Sequence, residues 1–342
     1  MCTDPSSFGT FGRMRYVDLF AGIGGIRLPF DELGCRCVFS SEWDASACDT
    51  YEANFGERPL GDITKIEASE IPPHDILLAG FPCQAFSIMG KGLGFADTRG
   101  TLFFEIERIL RYHRPPAFLL ENVKRLVSHD KGRTFKVILS RLHDLGYNVR
   151  WKVLNALDFG LPQKRERVII VGFLSSEACR LFDFTHLPEE YDLSSVLENE
   201  CVIPEDLYAS PYIREKRRSA VSGKEVFYPS VWHENKSGNV SILPYFCALR
   251  SGASHSYQLV NGVRRPSSRE LLRIQGFPDS FKIVVSHAEI RKQTGNSVPV
   301  PIIRFAAKQI CSILEATTTI HHDAYPKAKR QRETAVKGAV PY

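Results

Sequence analysis

Along the first half of the chain, short apolar runs alternate with longer stretches of mixed polarity, and the runs end at glycines or at acidic and reactive residues. Residues 15–20 (Arg-Tyr-Val-Asp-Leu-Phe) are β-prone and lead into Ala21-Gly22-Ile23-Gly24-Gly25. Further β-prone runs cover residues 35–40, ending at Glu42-Trp43-Asp44; 75–79, ending at Gly80-Phe81-Pro82-Cys83; 117–120, ending at Glu121-Asn122-Val123; and 168–172. Helix-like stretches at 45–54, 102–113 and 132–145 separate them. Strands alternating with helices predict an α/β fold with a mostly parallel sheet covered on both faces. The polar residues stand just past the strand ends, the edge at which open α/β sheets bind ligands.

From about Leu174 the rhythm breaks. Residues 175–265 hold short apolar runs, prolines and many polar residues, which predicts a second, smaller and irregular domain. Helical pattern resumes over 269–275 before Gly276-Phe277-Pro278-Asp279, and 301–314 reads as a closing amphipathic helix. The tail beyond, with Lys327, Lys329, Arg330 and Arg332 among few apolar residues, is expected to be disordered. At 342 residues, 43% hydrophobic and 24% charged, the chain can bury a large core without staples. No apolar run approaches the ~20 residues of a membrane span. The N-terminus lacks the apolar stretch of a secretory signal. Nine scattered cysteines without a C-x-x-C pair argue against a disulfide scaffold or a metal site and for a reducing cytosol. The net charge of +5 is compatible with a polyanionic partner.

Four clusters can carry chemistry. The glycine turn after Asp18 lets backbone approach a ligand closely. Glu42, about twenty residues on, can accept hydrogen bonds from ribose hydroxyls, and Trp43 offers a flat face to an adenine. Together they favour an adenosine-containing cofactor, although a plain strand–helix turn with a helix-capping acid would look similar. Cys83 follows a strand and a proline and precedes the glycine-rich stretch 89–94, so it is a candidate nucleophile beneath a lid. Glu121 at a buried strand end must be paired or protonated, and could therefore share a proton. In Gln163-Lys-Arg-Glu-Arg-Val168, Arg165 and Arg167 fall on one side of an extended strand and suit phosphate or carbonyl oxygens.

In this order and spacing the chain resembles the C5-cytosine DNA methyltransferase family, with coverage from about Arg15 to Leu314. Residues 18–27 resemble its cofactor motif, 80–87 its Pro-Cys loop, 121–123 its Glu-Asn-Val motif and 163–168 its Gln-x-Arg-x-Arg motif. Residues 269–279 resemble the segment after the variable region, and 295–299 (Gly-Asn-Ser-Val-Pro) the final motif. The compact length resembles the bacterial enzymes of restriction–modification systems. The resemblance implies a Rossmann-like, S-adenosylmethionine-dependent methyltransferase sheet over residues 13–174 plus 290–314, an irregular, β-rich target-recognition domain over 175–289, and a tail from 315. It implies that Cys83 attacks C6 of a flipped-out cytosine, that Glu121 protonates or bonds N3, that Arg167 holds O2 and that Arg165 holds a phosphate or the loop. S-adenosyl-L-methionine would lie against Phe20, Gly22, Gly24, Glu42, Trp43, Asp62, Ile63, Pro82, Asn296 and Ser297.

Between Cys201 and Arg273 there are 11 Lys/Arg against 6 Asp/Glu, an excess that fits phosphate contacts. Base-reading loops are expected in 237–265, which include Arg250, Ser251-Gly252-Ala253 and Arg264-Arg265. The Thr-Leu pair common in this region of the family has no clear counterpart between residues 175 and 265. The resemblance further implies a monomeric bacterial cytoplasmic enzyme acting on double-stranded DNA, paired with a restriction endonuclease of the same specificity. A tRNA cytosine methyltransferase, a catalytically silent DNA-binding protein and an NAD oxidoreductase are the competing readings. Intact Cys83, Glu121, Arg165 and Arg167 weigh against the second, and the lack of G-x-G-x-x-G against the third.

Overall fold

The computed structural model describes residues 14–81, 102–254 and 256–323, with side chains as far as 317. The first part of the chain runs β1 (Arg15–Leu19), α1 (Arg27–Glu32), β2 (Arg36–Ser41), α2 (Ala45–Phe55), β3 (Ile76–Gly80), α3 (Leu102–His113), β4 (Ala117–Val123), α4 (Arg125–Ser128), α5 (Arg133–Asp144), β5 (Asn148–Asn155), β6 (Gln163–Lys164), β7 (Glu166–Phe173) and α6 (Ser176–Leu181). Then follow α7 (Pro211–Ala220), β8 (Val231–Glu234), β9 (Val240–Leu243), β10 (Phe246–Cys247), β11 (Gln258–Val260), α8 (Ser268–Gln275), α9 (His287–Asn296) and α10 (Val300–Asp323).

Six strands form the main sheet in the order β2-β1-β3-β4-β7-β5. The first four are parallel, and β7 enters antiparallel between β4 and β5. The apolar runs of β3 and β4 do not alternate with polar residues because both faces are covered. On one face Tyr16, Ile76, Leu78, Leu119, Ile169 and Val171 meet Ile302, Ile303, Ala306 and Ile310 of α10. On the other, Val17, Leu77, Phe118, Leu120 and Ile170 meet Phe103, Ile106 and Ile109 of α3 and Phe135 and Ile138 of α5. The fold is the expected α/β arrangement of a mostly parallel sheet beside a smaller, irregular β-containing lobe.

Strand β5 was not expected from the apolar pattern. It is an edge strand whose Asn-Val-Arg-Trp-Lys-Val-Leu-Asn alternation places polar residues outward, and Trp151 packs edge-on against Phe135 of α5. Helix α9 was likewise unexpected, and α10 runs past the predicted end at 314 to Asp323. The lobe is built on an antiparallel sheet, β11-β8-β9, among several short 3₁₀ turns. Its β10 pairs in parallel with β6, Phe246 opposite Gln163 and Cys247 opposite Lys164. A third apolar cluster joins Ile23 and Ala47 to Leu193, Val196, Val231, Phe246, Leu271, Ile274, Phe277 and Ile290. The lobe and the sheet domain therefore share a core, and α8, expected to belong to the lobe, packs against α9 and the sheet domain's end of this cluster. Among the described residues no single helix is long and apolar enough to cross a membrane; the bent pair α9–α10 approaches that composition.

Candidate active site at the carboxyl edge of the sheet

The ends of β1, β2, β3 and β4 and the start of β7 share one edge, because β7 is antiparallel to its neighbour and Arg167 pairs with Val123. Phe20, Gly22, Gly24, Glu42, Trp43, Glu121 and Arg167, all singled out by the sequence, stand there or beside it. Phe20 closes β1 with φ +56°, a left-handed conformation that few non-glycine residues adopt. Gly22 has φ +55°, and among the described residues nothing lies within 4 Å of where a Cβ would project. Backbone at this point thus borders open space, as a cradle for a ligand requires. The Gly24 amide donates to the Ala21 carbonyl at 2.8 Å and closes the turn.

Glu42, just beyond β2, organises this loop. Its Oε2 accepts from the Gly22 amide at 2.8 Å, and its Oε1 accepts from the amides of Trp43 and Asp44 at 2.9 and 2.8 Å. Each carboxylate oxygen has two lone pairs, so acceptor capacity remains for hydroxyl donors. Trp43 is 79% exposed, so its indole face is open to a ligand rather than spent in the core. The Glu42 amide bonds to the Leu60 carbonyl at 2.9 Å, and this brings Asp62 and Ile63 to the same edge. Asp62 caps the following turn through Thr64, while Ile63 is buried. From the far end of the chain, Ser297 packs on Gly25 and Asn296 is exposed at the end of α9.

Beneath the loop lies Asp18, fully buried, with neither carboxyl oxygen hydrogen-bonded among the described residues. Burial pushes its carboxyl up to about 8, with Asp31, Glu42 and Glu57 adding to the rise and Arg27 opposing it. The sequence marked the turn after Asp18 but offered no reason to single out this residue; an acid inside the otherwise apolar buried run of β1 is the available signal.

At β4 the Glu121 carboxylate pairs with the Arg167 guanidinium, Oε1 to Nε, at 2.8 Å. The register explains the pair: Arg167 lies opposite Val123, and Glu121, two residues away, shares that face. Burial raises the Glu121 carboxyl above the ordinary carboxylate value, against the pull of Arg167 and Arg165. The side chain of the next residue, Asn122, donates to the Phe81 carbonyl at 2.7 Å. Phe81 is the last described residue before Pro82 and Cys83, and both of these, with the lid expected over 89–94, lie outside the described residues. Asn122 was not expected to have this role. An amide side chain beside a strand-end carboxylate is the signal that could have suggested a tether.

Arg165 was expected to hold a phosphate or the loop, and its described contacts are internal. Its guanidinium is buried and donates to three carbonyls: Leu249 at 2.7 Å, Gly295 at 3.0 Å and Ser297 at 2.5 Å. It joins the lobe and the final motif to β7 rather than reaching toward a phosphate. Gln163 belongs to the same junction, donating to the Ile274 carbonyl at 2.8 Å and accepting from the Leu249 amide at 3.1 Å. Gly295 fits there because a Cβ would overlap the Ser251 backbone nitrogen. The expected base-reading pair Arg264-Arg265 is also structural. Arg264 is fully buried and forks onto both oxygens of Glu270 at 2.8 and 2.9 Å, while Arg265 binds the Leu207 and Asp206 carbonyls.

Residues 14–312 match the family model described as C-5 cytosine-specific DNA methylase. The Type II methyltransferase M.HaeII of Haemophilus aegyptius is 59% identical over 309 residues, 90% of this chain and 96% of that protein. The Type II methyltransferase M.NgoBI of Neisseria gonorrhoeae is 58% identical over 301 residues, 88% and 93% of the two chains. Among solved structures, a Spodoptera frugiperda DNMT2 mutant superposes with a TM-score of 0.66 at 19% identity, covering 87% of this chain and 99% of that one. A putative DNA modification methyltransferase encoded within an Escherichia coli prophage gives 0.64 at 22%, covering 88% and 99%.

Proposed function

Because the chain belongs to the C-5 cytosine-specific DNA methylases, and is a DNA (cytosine-5)-methyltransferase, we propose that it works by covalent catalysis from Cys83 on a cytosine flipped out of the duplex. The observation that carries this reading is the Glu121–Arg167 pair at the sheet edge, one residue from the Asn122 tether to the strand that leads into Pro82-Cys83.

C5 of cytosine is a poor nucleophile while the ring keeps its aromaticity. Addition of the Cys83 thiolate to C6 breaks it and drives electron density toward N3 and C5. Glu121, paired with Arg167 at the buried strand end, hydrogen-bonds N3 and passes a proton to it as density builds there. Arg167, fixed by Glu121, turns its remaining donors toward the O2 position. After transfer, a base takes the C5 proton and the Cys83 sulfur leaves C6, so the thiolate is regenerated. A duplex hides these atoms, which is why the base must be extruded.

S-adenosyl-L-methionine, when bound, supplies the electrophilic methyl group. The residues present fit it: the open cradle at Gly22, the Glu42 carboxylate for ribose hydroxyls and the exposed Trp43 face for adenine, with Phe20, Gly24, Asp62, Ile63, Asn296 and Ser297 around them. Residues 175–289 choose the DNA sequence. The likeness to Type II methyltransferases along nearly their whole length supports a monomeric bacterial cytoplasmic enzyme that protects host DNA against a restriction endonuclease of the same specificity.

The test is a trap. Duplex DNA carrying 5-fluorocytosine in the methylated site should form a denaturant-stable adduct with the wild-type protein, because fluorine cannot leave as a proton does. Cys83→Ser should form none and methylate nothing, yet bind the cofactor as before. Methylation by the serine variant would exclude the covalent route.

A further inference from the structure

Most cations of the lobe are already spent inside the protein. Among the 11 Lys/Arg of residues 201–273, Lys216 and Arg217 bind Glu234, Arg218 binds Glu215, Arg264 binds Glu200 and Glu270, and Arg273 binds Asp279. Lys224, Arg265 and Arg269 donate to the carbonyls of Val240, Leu207 and Pro278. The net excess of positive charge therefore says little about where DNA is read. Of these eleven, three make no hydrogen bond or ion pair of this kind among the described residues: Arg214, Lys236 and Arg250. Two of these, Lys236 and Arg250, are exposed and line one open cleft of about 310 Å³, together with His233, Asn235, Cys247 and Ala248.

Arg250 is also the best placed of the three. Its guanidinium lies over the Tyr257 ring, 4.9 Å from the centroid, which restricts the side chain while leaving its N–H edge free. The residue before it, Leu249, is held at both ends: its carbonyl by Arg165 and its amide by Gln163. The residue after it, Ser251, abuts Gly295. Two positions beyond Arg165 stands Arg167, bonded to Glu121. One short stretch of backbone thus fixes the register between an unspent guanidinium and the catalytic pair.

We propose that Arg250 reads a guanine beside the target cytosine in the major groove, in the cleft that it forms with Lys236, His233 and Asn235. Guanine is the base whose O6 and N7 accept the two parallel donors of a guanidinium. Tyr257 acts as a positioning residue for it. The inference rests on the assignment of sequence choice to residues 175–289.

The full-length protein is tested on duplexes randomised around a cytosine, with the methylated products read by bisulfite sequencing at several salt concentrations. Arg250→Gln should lose roughly ten- to hundredfold preference for guanine at one position and keep it elsewhere. Tyr257→Leu should give a weaker change at that same position, and it decides the matter if Arg250→Gln does not fold. Arg218→Gln, on the exposed face of α7, should read like wild type. A uniform fall across all sequences with a shallower salt dependence would make Arg250 a phosphate contact and overturn the proposal, as would an unchanged preference. Exchange of the lobe separates the two levels: if it moves the methylated site while Arg250→Gln does not, the lobe assignment survives and this inference fails.

Discussion

Asp18 and Glu42 are both acids within one loop's reach, and their environments set them apart. Glu42 accepts from three backbone amides. Asp18 has none, and its carboxyl rises from 3.8 to about 8. The consequence for stability has a definite sign. With a folded value above the unfolded one, the contribution is full below about pH 4 and is lost as pH rises through 8. Within that window the loss is on the order of 1.4 kcal/mol per pH unit. Asp18→Asn carries no such proton, so its stability relative to wild type should improve steadily from pH 5 to pH 8 in denaturant titrations. A difference that stays flat with pH would mean that Asp18 is ionised in the fold. For Glu42, replacement by alanine removes a charge-assisted acceptor, and cofactor affinity measured by calorimetry should fall by about 1.5–3 kcal/mol for each hydroxyl bond lost. Part of the effect comes through the loop, since Gly22, Trp43 and Asp44 lose their common acceptor too.

At the scale of elements, the junction between β6, β10, α8 and the turn after α9 joins lobe to sheet. Its buried polar groups bond to one another: Gln163 with Ile274 and Leu249, Gln275 with the Thr294 carbonyl, and Arg165 with three carbonyls, although the Arg165 Nε has no partner among the described residues. Such networks are costly when broken, because the partner left behind is desolvated and unpaired. The Arg264–Glu270 fork works the same way at the entrance to α8, where Glu270 also completes a capping box with Ser267. Arg264→Ala should therefore destabilise the protein by about 3–5 kcal/mol, read as a lower denaturation midpoint, without changing which sequence is methylated. If the variant is as stable as wild type but changes the site, the arginine reads DNA after all.

The whole molecule constrains how specificity can be moved. Leu193, Val196, Leu271, Ile274 and Ile290 share a core with Ile23 and Ala47 of the sheet domain. A transplant of all of 175–289 cuts through this core, whereas one limited to 202–260 leaves it mostly native. The shorter exchange with a relative of different specificity should give a folded enzyme with the donor's site, and the longer one should fold poorly. Bisulfite sequencing and thermal melts of the two chimeras distinguish these outcomes; an active short chimera that keeps the original site would place sequence choice outside the lobe.

The sequence by itself determined the parallel α/β core, since doubly buried strands such as Ile76–Gly80 must be apolar throughout, and it located the edge residues, because chemistry at strand ends follows directly from strand order. Glu42, Glu121 and Arg167 could be named from pattern alone. The sequence did not determine which charged residues remain available. Arg165, Arg264 and Arg265 look as free in the sequence as Arg250 does, and Asp18 looks as ordinary as Asp62. Whether a guanidinium meets a carbonyl or a solvent cleft depends on contacts between segments far apart in the chain: Arg165 with Leu249 and Gly295, and Arg264 with Glu200. Strand β5 and helix α9 were hidden for a related reason, because an edge strand and a short helix at a junction hold their shape through neighbours that only the folded chain supplies.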